Sequence, residues 1–293
     1  MPAMPAGLKP VVEGYQFDDP GGVLRTEVAG GASRYALDWD RGTQRFSVTL
    51  ILDALKFSVW TAFYFHVIKK GAAAFDMQLD SGFGASIHSV HMVPGSYSAK
   101  RAGGILWSVT FVVEAETQAY DLSDGDATDL ASLFNTYGIK PVVAGYGMGE
   151  PGGTARDEVA GGRAGYALEW SRGVQRYSVT LILTAAQFAA WSVYYARIIK
   201  KGSIAFDMPL DSGFGVSPHQ VNILPGSYSA ARAGGINWAV TFAVEAESQA
   251  YSMSDADAAA MIDLYNAIGV SSDALLARIA QFALTDTLVL AGL

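Results

Sequence analysis

Residues 44–52 read QRFSVTLIL, and 131 positions later residues 175–183 read QRYSVTLIL. In the first stretch Phe46, Val48, Leu50 and Leu52 fall on one face and Arg45, Ser47 and Thr49 on the other, the period-two pattern of a half-buried strand. Asp53 then stands where a helix N-cap is needed. The segment to Lys70 carries Phe57, Trp60, Tyr64 and Ile68 at helical spacing, with Phe188, Trp191, Tyr195 and Ile199 as the matching stripe. Lys69 and Lys70 suit the negative end of the helix dipole, and Gly71 suits a left-handed stop. Beyond it come a short strand over 74–79, a glycine-rich DSGFG loop from Asp80, an extended segment around 90–93 and a PGSYSA turn. A last alternating strand over 106–116 turns Trp107, Val109, Phe111 and Val113 inward and Ser108, Thr110 and Glu114 outward. A helix over roughly 123–137 closes the unit. Strands with one packed helix predict an α+β, mainly β domain: a β-sandwich or partly closed barrel with a flanking helix.

The recurrence covers most of the chain. Residues 9–138 return as 140–269 without a gap, with roughly three-fifths of the aligned positions identical. A period this long is a domain rather than a solenoid repeat, so each copy is expected to bury its own core. The expected organisation is a leader over 1–8, a first copy over 9–138, a second over 139–269, and a tail over 270–293. The tail's apolar run, including Leu275, Leu276, Ile279, Phe282 and Leu284, is expected to dock on something.

Composition narrows the function. A chain with 51% hydrophobic and 16% charged residues buries a core and is not disordered. A net charge of −8 argues against holding nucleic acid by phosphate neutralisation or sitting on an anionic membrane. Without cysteine there is no disulfide scaffold, thiolate nucleophile or cysteine metal site. The start, MPAMPAGLKP, lacks a signal-peptide pattern and no stretch is long enough to span a bilayer, so a soluble protein made in the cytoplasm is expected.

Catalytic and metal constellations are incomplete. No serine sits on a strand-to-helix elbow beside a histidine and a carboxylate. Of His66, His88, His91 and His219 only His88 and His219 correspond between copies; His88 beside Asp80 reads as a metal ligand or, more simply, as a loop histidine satisfying a turn. Glu114 and Glu116, repeated as Glu245 and Glu247, share one strand face like a glycosidase pair, but acids at a strand end are usually solvated. Tyr15, Tyr97 and Phe83 are rings that would stack on sugars if exposed, so a tandem carbohydrate-binding protein in host recognition is the alternative reading, tested by substituting Tyr97 and Tyr228. The sequence therefore predicts no enzyme, no metal and no cofactor.

The order FSVTLIL, aromatic helix, KKG, FDMQLDSGFG, PGSYSA and WSVTFVVEAE resembles short tail proteins of tailed bacteriophages, of the tail-tube and distal-tail (minor tail protein) fold family. The resemblance covers both copies. It implies a β-sandwich with a flanking helix, a non-enzymatic place in the virion tail, and a ring around the DNA channel. Such proteins usually carry one copy per chain, and the departure here is the duplication. Three fused pairs reproduce six positions of a head-to-tail ring, so a homotrimer with pseudo-sixfold symmetry is expected. Its expected partners are itself, neighbouring tail proteins and DNA that passes an acidic lumen without specific binding, with no membrane. The candidate subunit interface is Asp80, Ser81, Phe83, His88 and Tyr97, with their counterparts Asp211, Ser212, Phe214, His219 and Tyr228, because projecting loops retained in both copies are suited to contact.

Overall fold

The computed structural model describes residues 1–28, 32–151, 154–157, 165–169, 172–213, 216–252, 254–260 and 262–263. The first copy runs β1 (Gln16–Asp18), a hairpin of β2 (Val23–Thr26) and β3 (Arg34–Leu37), β4 (Thr43–Leu52), α1 (Ala54–Ala62), β5 (Phe75–Asp80), β6 (Ala85–Met92), β7 (Ser98–Arg101), β8 (Trp107–Glu116) and α2 (Asp124–Thr136). The second repeats that order as β9 (Gly147–Met148), β10 (Thr154–Asp157), β11 (Gly165–Leu168), β12 (Val174–Leu183), α3 (Ala185–Val193), β13 (Phe206–Asp211), β14 (Val216–Ile223), β15 (Ser229–Ala233) and β16 (Asn237–Glu247). The chain is mainly β, with antiparallel pairing throughout its main sheet.

The alternating pattern produces the expected burial. Phe46, Val48, Leu50 and Leu52 of β4 are buried, as are Val109, Phe111 and Val113 of β8, which pairs with β4 over its whole length. The helix caps follow from short polar side chains: Asp53 Oδ1 accepts from the Lys56 backbone N–H at 2.8 Å, and Thr184 with Gln187 forms a capping box. The aromatic stripe packs on the last strand, with Trp60 stacked on Phe111 at 5.0 Å and Phe57 on Trp107 at 4.2 Å. Tyr64 lies instead on Tyr97, at 4.5 Å.

The helix ends differently from the expectation. After α1 the chain widens into a π-helical turn over Phe63–Val67, and the left-handed conformation begins on Lys69 and Lys70 (φ 51° and 60°) before reaching Gly71. Lys200 and Lys201 repeat it. The reason lies in the following glycine: a Cβ on Gly202 would sit 2.5 Å from Ile223 Cβ, and one on Gly71 would sit 2.7 Å from Met92 Cβ, so the chain must press its backbone onto the strand below. Both Gly71→Ala and Gly202→Ala are expected to cost about 1–3 kcal/mol from the positive φ alone, and Gly202→Ala more in total, because its Cβ also meets the Ile223 backbone N at 3.0 Å whereas the nearest atoms to one on Gly71 are all of the Met92 side chain. Denaturant midpoints of the two variants give the comparison.

Two other expectations shift. The glycine-rich loop is only the four residues between β5 and β6, so His88 lies on a strand and not in a loop. Strands β1 to β3, which have no long alternating run, went unmarked in the sequence.

The chain divides into two compact units, Met1–Ser248 and Gln249–Leu293. The first contains both copies of the strand set, and one apolar cluster runs through both, so the copies share a core instead of burying one each. Its main sheet contains an antiparallel ribbon in the order β9-β12-β16-β15-β1-β4-β8-β7; the hairpins β5/β6 and β13/β14 branch from β8 and β16. In the second unit Ser254 caps a helical turn through the Asp257 N–H at 3.1 Å. The tail over 270–293 lies outside the described residues.

Candidate functional site: the seam between the two copies

The strand that joins the copies is β1. It pairs with β4 of its own copy on one side and with β15 of the other copy on its other side, Gln16 opposite Ala231, Phe17 opposite Ala230 and Asp18 opposite Ser229. Alternation sends Phe17 into the core, where its ring lies 5.0 Å from Phe46, 5.6 Å from Trp238 and 5.9 Å from Phe188. The DSGFG loop of the first copy rests on the helix of the second, since a Cβ on Gly82 would meet Ser192 Oγ at 2.7 Å and Phe188 at 3.0 Å. Asp80, fixed by Tyr15, whose hydroxyl accepts from its N–H at 2.8 Å and donates to its carbonyl at 3.0 Å, forms an ion pair with Arg232. The Arg232 guanidinium stacks on Trp238 at 4.2 Å. On the helical side Phe134 of α2 lies 4.6 Å from Tyr194 and 5.1 Å from Trp191, with Ala127 and Ala131 against Val193.

Three polar groups lie beside the rings, Lys201 and Glu245 buried and Asp19 half-buried. Asp19 accepts from the Tyr195 hydroxyl at 3.0 Å and the Gly226 N–H at 3.1 Å. Lys201, 1% exposed, donates to the carbonyls of Gly21 at 2.8 Å and Trp39 at 3.0 Å; burial lowers its pKa, and Asp19 and Asp40 partly offset that. Glu245 accepts from Arg25 Nη2 at 2.6 Å, the Tyr35 hydroxyl at 2.6 Å and Arg176 Nε at 3.1 Å. Burial pushes the Glu245 carboxyl up, but those hydrogen bonds and charges outweigh it and hold the group below the ordinary carboxylate range. The β2/β3 hairpin, which supplies Arg25 and Tyr35, thus clasps the second copy.

The candidate residues divide around this seam. Asp80 is in it, and Phe83 packs beside Tyr120, Ala196 and Val193. Tyr228 is also in it, buried and stacked on Tyr195 at 4.4 Å. Ser81 is buried, accepting from the Gln118 N–H at 3.4 Å. Tyr97, Asp211 and Ser212 occupy the equivalent positions at the other two ends of the ribbon, and Phe214 lies outside the described residues. His88 and His219 are buried within their own copies. Tyr15 and Tyr228 are core rings, which removes the exposure that a sugar-stacking role requires. Glu245 is likewise not the solvated strand-end acid expected.

Sequence reasoning missed Phe17, Asp19, Arg25 and Lys201. The hairpin lacks a strand signature and the seam exists only after folding, so no local signal in the sequence marks these residues.

His88 carries the nearest approach to catalytic geometry. Its Nε2 lies 3.0 Å from Ser86 Oγ and its Nδ1 3.2 Å from the Glu116 carbonyl, so the ring is oriented by a carbonyl and not by a carboxylate. Burial lowers its pKa. In the second copy the ring instead places Nδ1 2.9 Å from the Ser217 carbonyl, so the arrangement is not retained. Among the described residues no three His, Asp or Glu side chains converge as metal ligands, and no helix is long and apolar enough to cross a membrane. What the arrangement does offer is adhesion between one copy and the next. No protein-family model and no curated protein matches this chain.

Proposed function

We propose that the protein is a non-enzymatic structural component of a bacteriophage tail, a distal-tail or tail-tube ring around the DNA channel. In this reading residues 9–138 and 139–269 are two tail-tube-like sandwich units with one flanking helix each, and three chains form a ring with pseudo-sixfold symmetry. The protein resides in the virion after synthesis in the host cytoplasm, contacts neighbouring tail proteins, and lets DNA pass without specific binding.

The observation that supports this reading is the seam. It joins two copies of one unit by unlike surfaces, β1 of one to the β7 counterpart of the other, and such a heterologous contact generates rings or filaments when repeated. The net charge of −8 suits a wall that repels phosphate. Electron cryo-microscopy of assembled particles is expected to show three chains per ring with both copies in near-equivalent positions. Six chains per ring, or unrelated environments for the two copies, would overturn the reading.

A further inference from the structure

Each copy has two faces that differ, and a chain with two copies uses each face once inside the seam. The other two are left at the ends of the ribbon. Among the described residues, β9 at one end pairs only with β12, and β7 at the other pairs only with β8. By the 131-residue offset, β9 is the counterpart of β1 and β7 the counterpart of β15, the two strands that meet in the seam.

Exposure records the vacancy residue by residue. Phe17 is 1% exposed in the seam and its counterpart Met148 is 52% exposed; Ala196 is 3% exposed and its counterpart Phe65 is 48% exposed. Lys201 is buried while Lys70 is exposed. The open faces are nevertheless preformed. Arg101 stacks on Trp107 at 4.4 Å as Arg232 does on Trp238, Phe57 stacks on Trp107 as Phe188 does on Trp238, and the Tyr146 hydroxyl clamps Asp211 at 2.8 and 2.9 Å as Tyr15 clamps Asp80. Beside Tyr146 and Asp211 is a largely apolar cavity of about 440 Å³; its counterpart in the first copy, into which Arg232 reaches, measures about 200 Å³.

We propose that these two faces bind each other between chains: β9 of one molecule adds to β7 of a second copy in the register of the seam. Gly147 then lies opposite Lys100, Met148 opposite Ala99 and Gly149 opposite Ser98. Arg101 enters the cavity beside Asp211, Glu150 takes the place of Asp19 at the Tyr64 hydroxyl, and Met148 covers the Phe57–Trp107 stack. Strand addition satisfies the open edges, which a soluble protein otherwise has to guard. The replacement of Phe17 by Met148, flanked by Gly147 and Gly149, makes this contact smaller than the seam, so association is reversible and rises with concentration. The inference deepens the ring reading and rests on it for closure at three chains; the pairing of faces follows from the seam.

Cysteine trapping tests it, because the chain has no cysteine of its own. Phe17→Cys with Ala230→Cys in one chain is the control, expected to close within the chain across the seam. Ala99→Cys and Met148→Cys are made singly. Their mixture, oxidised at high concentration, is expected to give a reducible covalent dimer, and neither alone should give one. Arg101→Glu in the Ala99→Cys partner should lower that yield at least about tenfold by placing like charges together. An Ala99→Cys homodimer, or no mixed dimer while the control closes, overturns the pairing. In the double variant Ala99→Cys with Met148→Cys, a ladder ending at three chains supports pairing and ring together. A ladder running past three retains the pairing and removes the three-chain ring.

Discussion

Trp191→Ala is expected to destabilise the protein by about 3–5 kcal/mol, the usual loss when a large buried ring is cut to a methyl. Trp191 is fully buried and stacks on Phe242 at 5.3 Å and Tyr195 at 6.1 Å, so helix, last strand and seam all lose contact when it goes. Phe134 of the other copy lies 5.1 Å away, a neighbour that Trp60 does not share. Trp60→Ala should therefore cost a similar amount within its own copy but leave the seam intact, whereas Trp191→Ala also loosens α2 from α3. Chemical denaturation followed by far-ultraviolet circular dichroism reads both. With one core running through both copies, the native chain should unfold in one transition for Met1–Ser248. A Trp191→Ala cost below about 1 kcal/mol, or two well-separated transitions in the native chain, would contradict this account of the core.

The parts of the fold legible in the sequence were those whose signal is local. The alternation over 44–52 and 106–116 specifies strands by itself, because a one-residue slip would expose Phe46, Val48 and Leu50 together. The Trp60 and Trp191 stripes specify a buried helix face in the same way. The π-helical turn was not legible: a widened turn with left-handed lysines is set by the strand beneath Gly71 and Gly202, a contact made between residues distant in sequence.

The seam shows the same division more sharply. A duplicated sequence announces that its copies are equivalent, but Phe17 and Met148, or Lys201 and Lys70, become different only when one copy is placed on the other. Burial of a lysine among carbonyls cannot be read from the residues KKG, which are identical in both copies. Loop retention singles out Asp80 and Phe83, which lie at the seam between the copies. The same reasoning also selected His88 and His219, whose retention reflects the interior of each copy, where both rings lie near Phe46 and Tyr177. Retention in both copies therefore does not distinguish a residue kept for the fold from one kept for contact. A change of burial between counterparts does, and it marks the contact set.

Glu245 and Glu114 turn that distinction into a measurement, since they are one sequence position in two environments. Each meets an arginine of the neighbouring strand, Arg176 at 3.1 Å and Arg45 at 3.0 Å. The Glu114 side chain is 36% exposed and its pair should contribute at most about 1 kcal/mol, as surface pairs do. Glu245 is buried and also holds Arg25 and Tyr35, so Glu245→Ala leaves the largely buried Arg25 with the exposed Glu27 alone and should cost about 3 kcal/mol, the lower end for a broken buried pair because Glu27 still pairs with Arg25 and Arg176 can turn to water. The acid response follows from the direction of the shift. The Glu245 carboxyl is held below its ordinary range in the folded chain, so its contribution is complete above the unfolded value of about 4.3 and disappears as pH falls through the lower, folded value. The stability gap between the native chain and Glu245→Gln should accordingly be constant from neutral pH to about 5 and narrow below about 4. Denaturant midpoints at neutral and acid pH measure that gap. A gap that widened on acidification, or Glu114→Ala costing as much as Glu245→Ala, would mean that the hairpin clasp does not hold the two copies together.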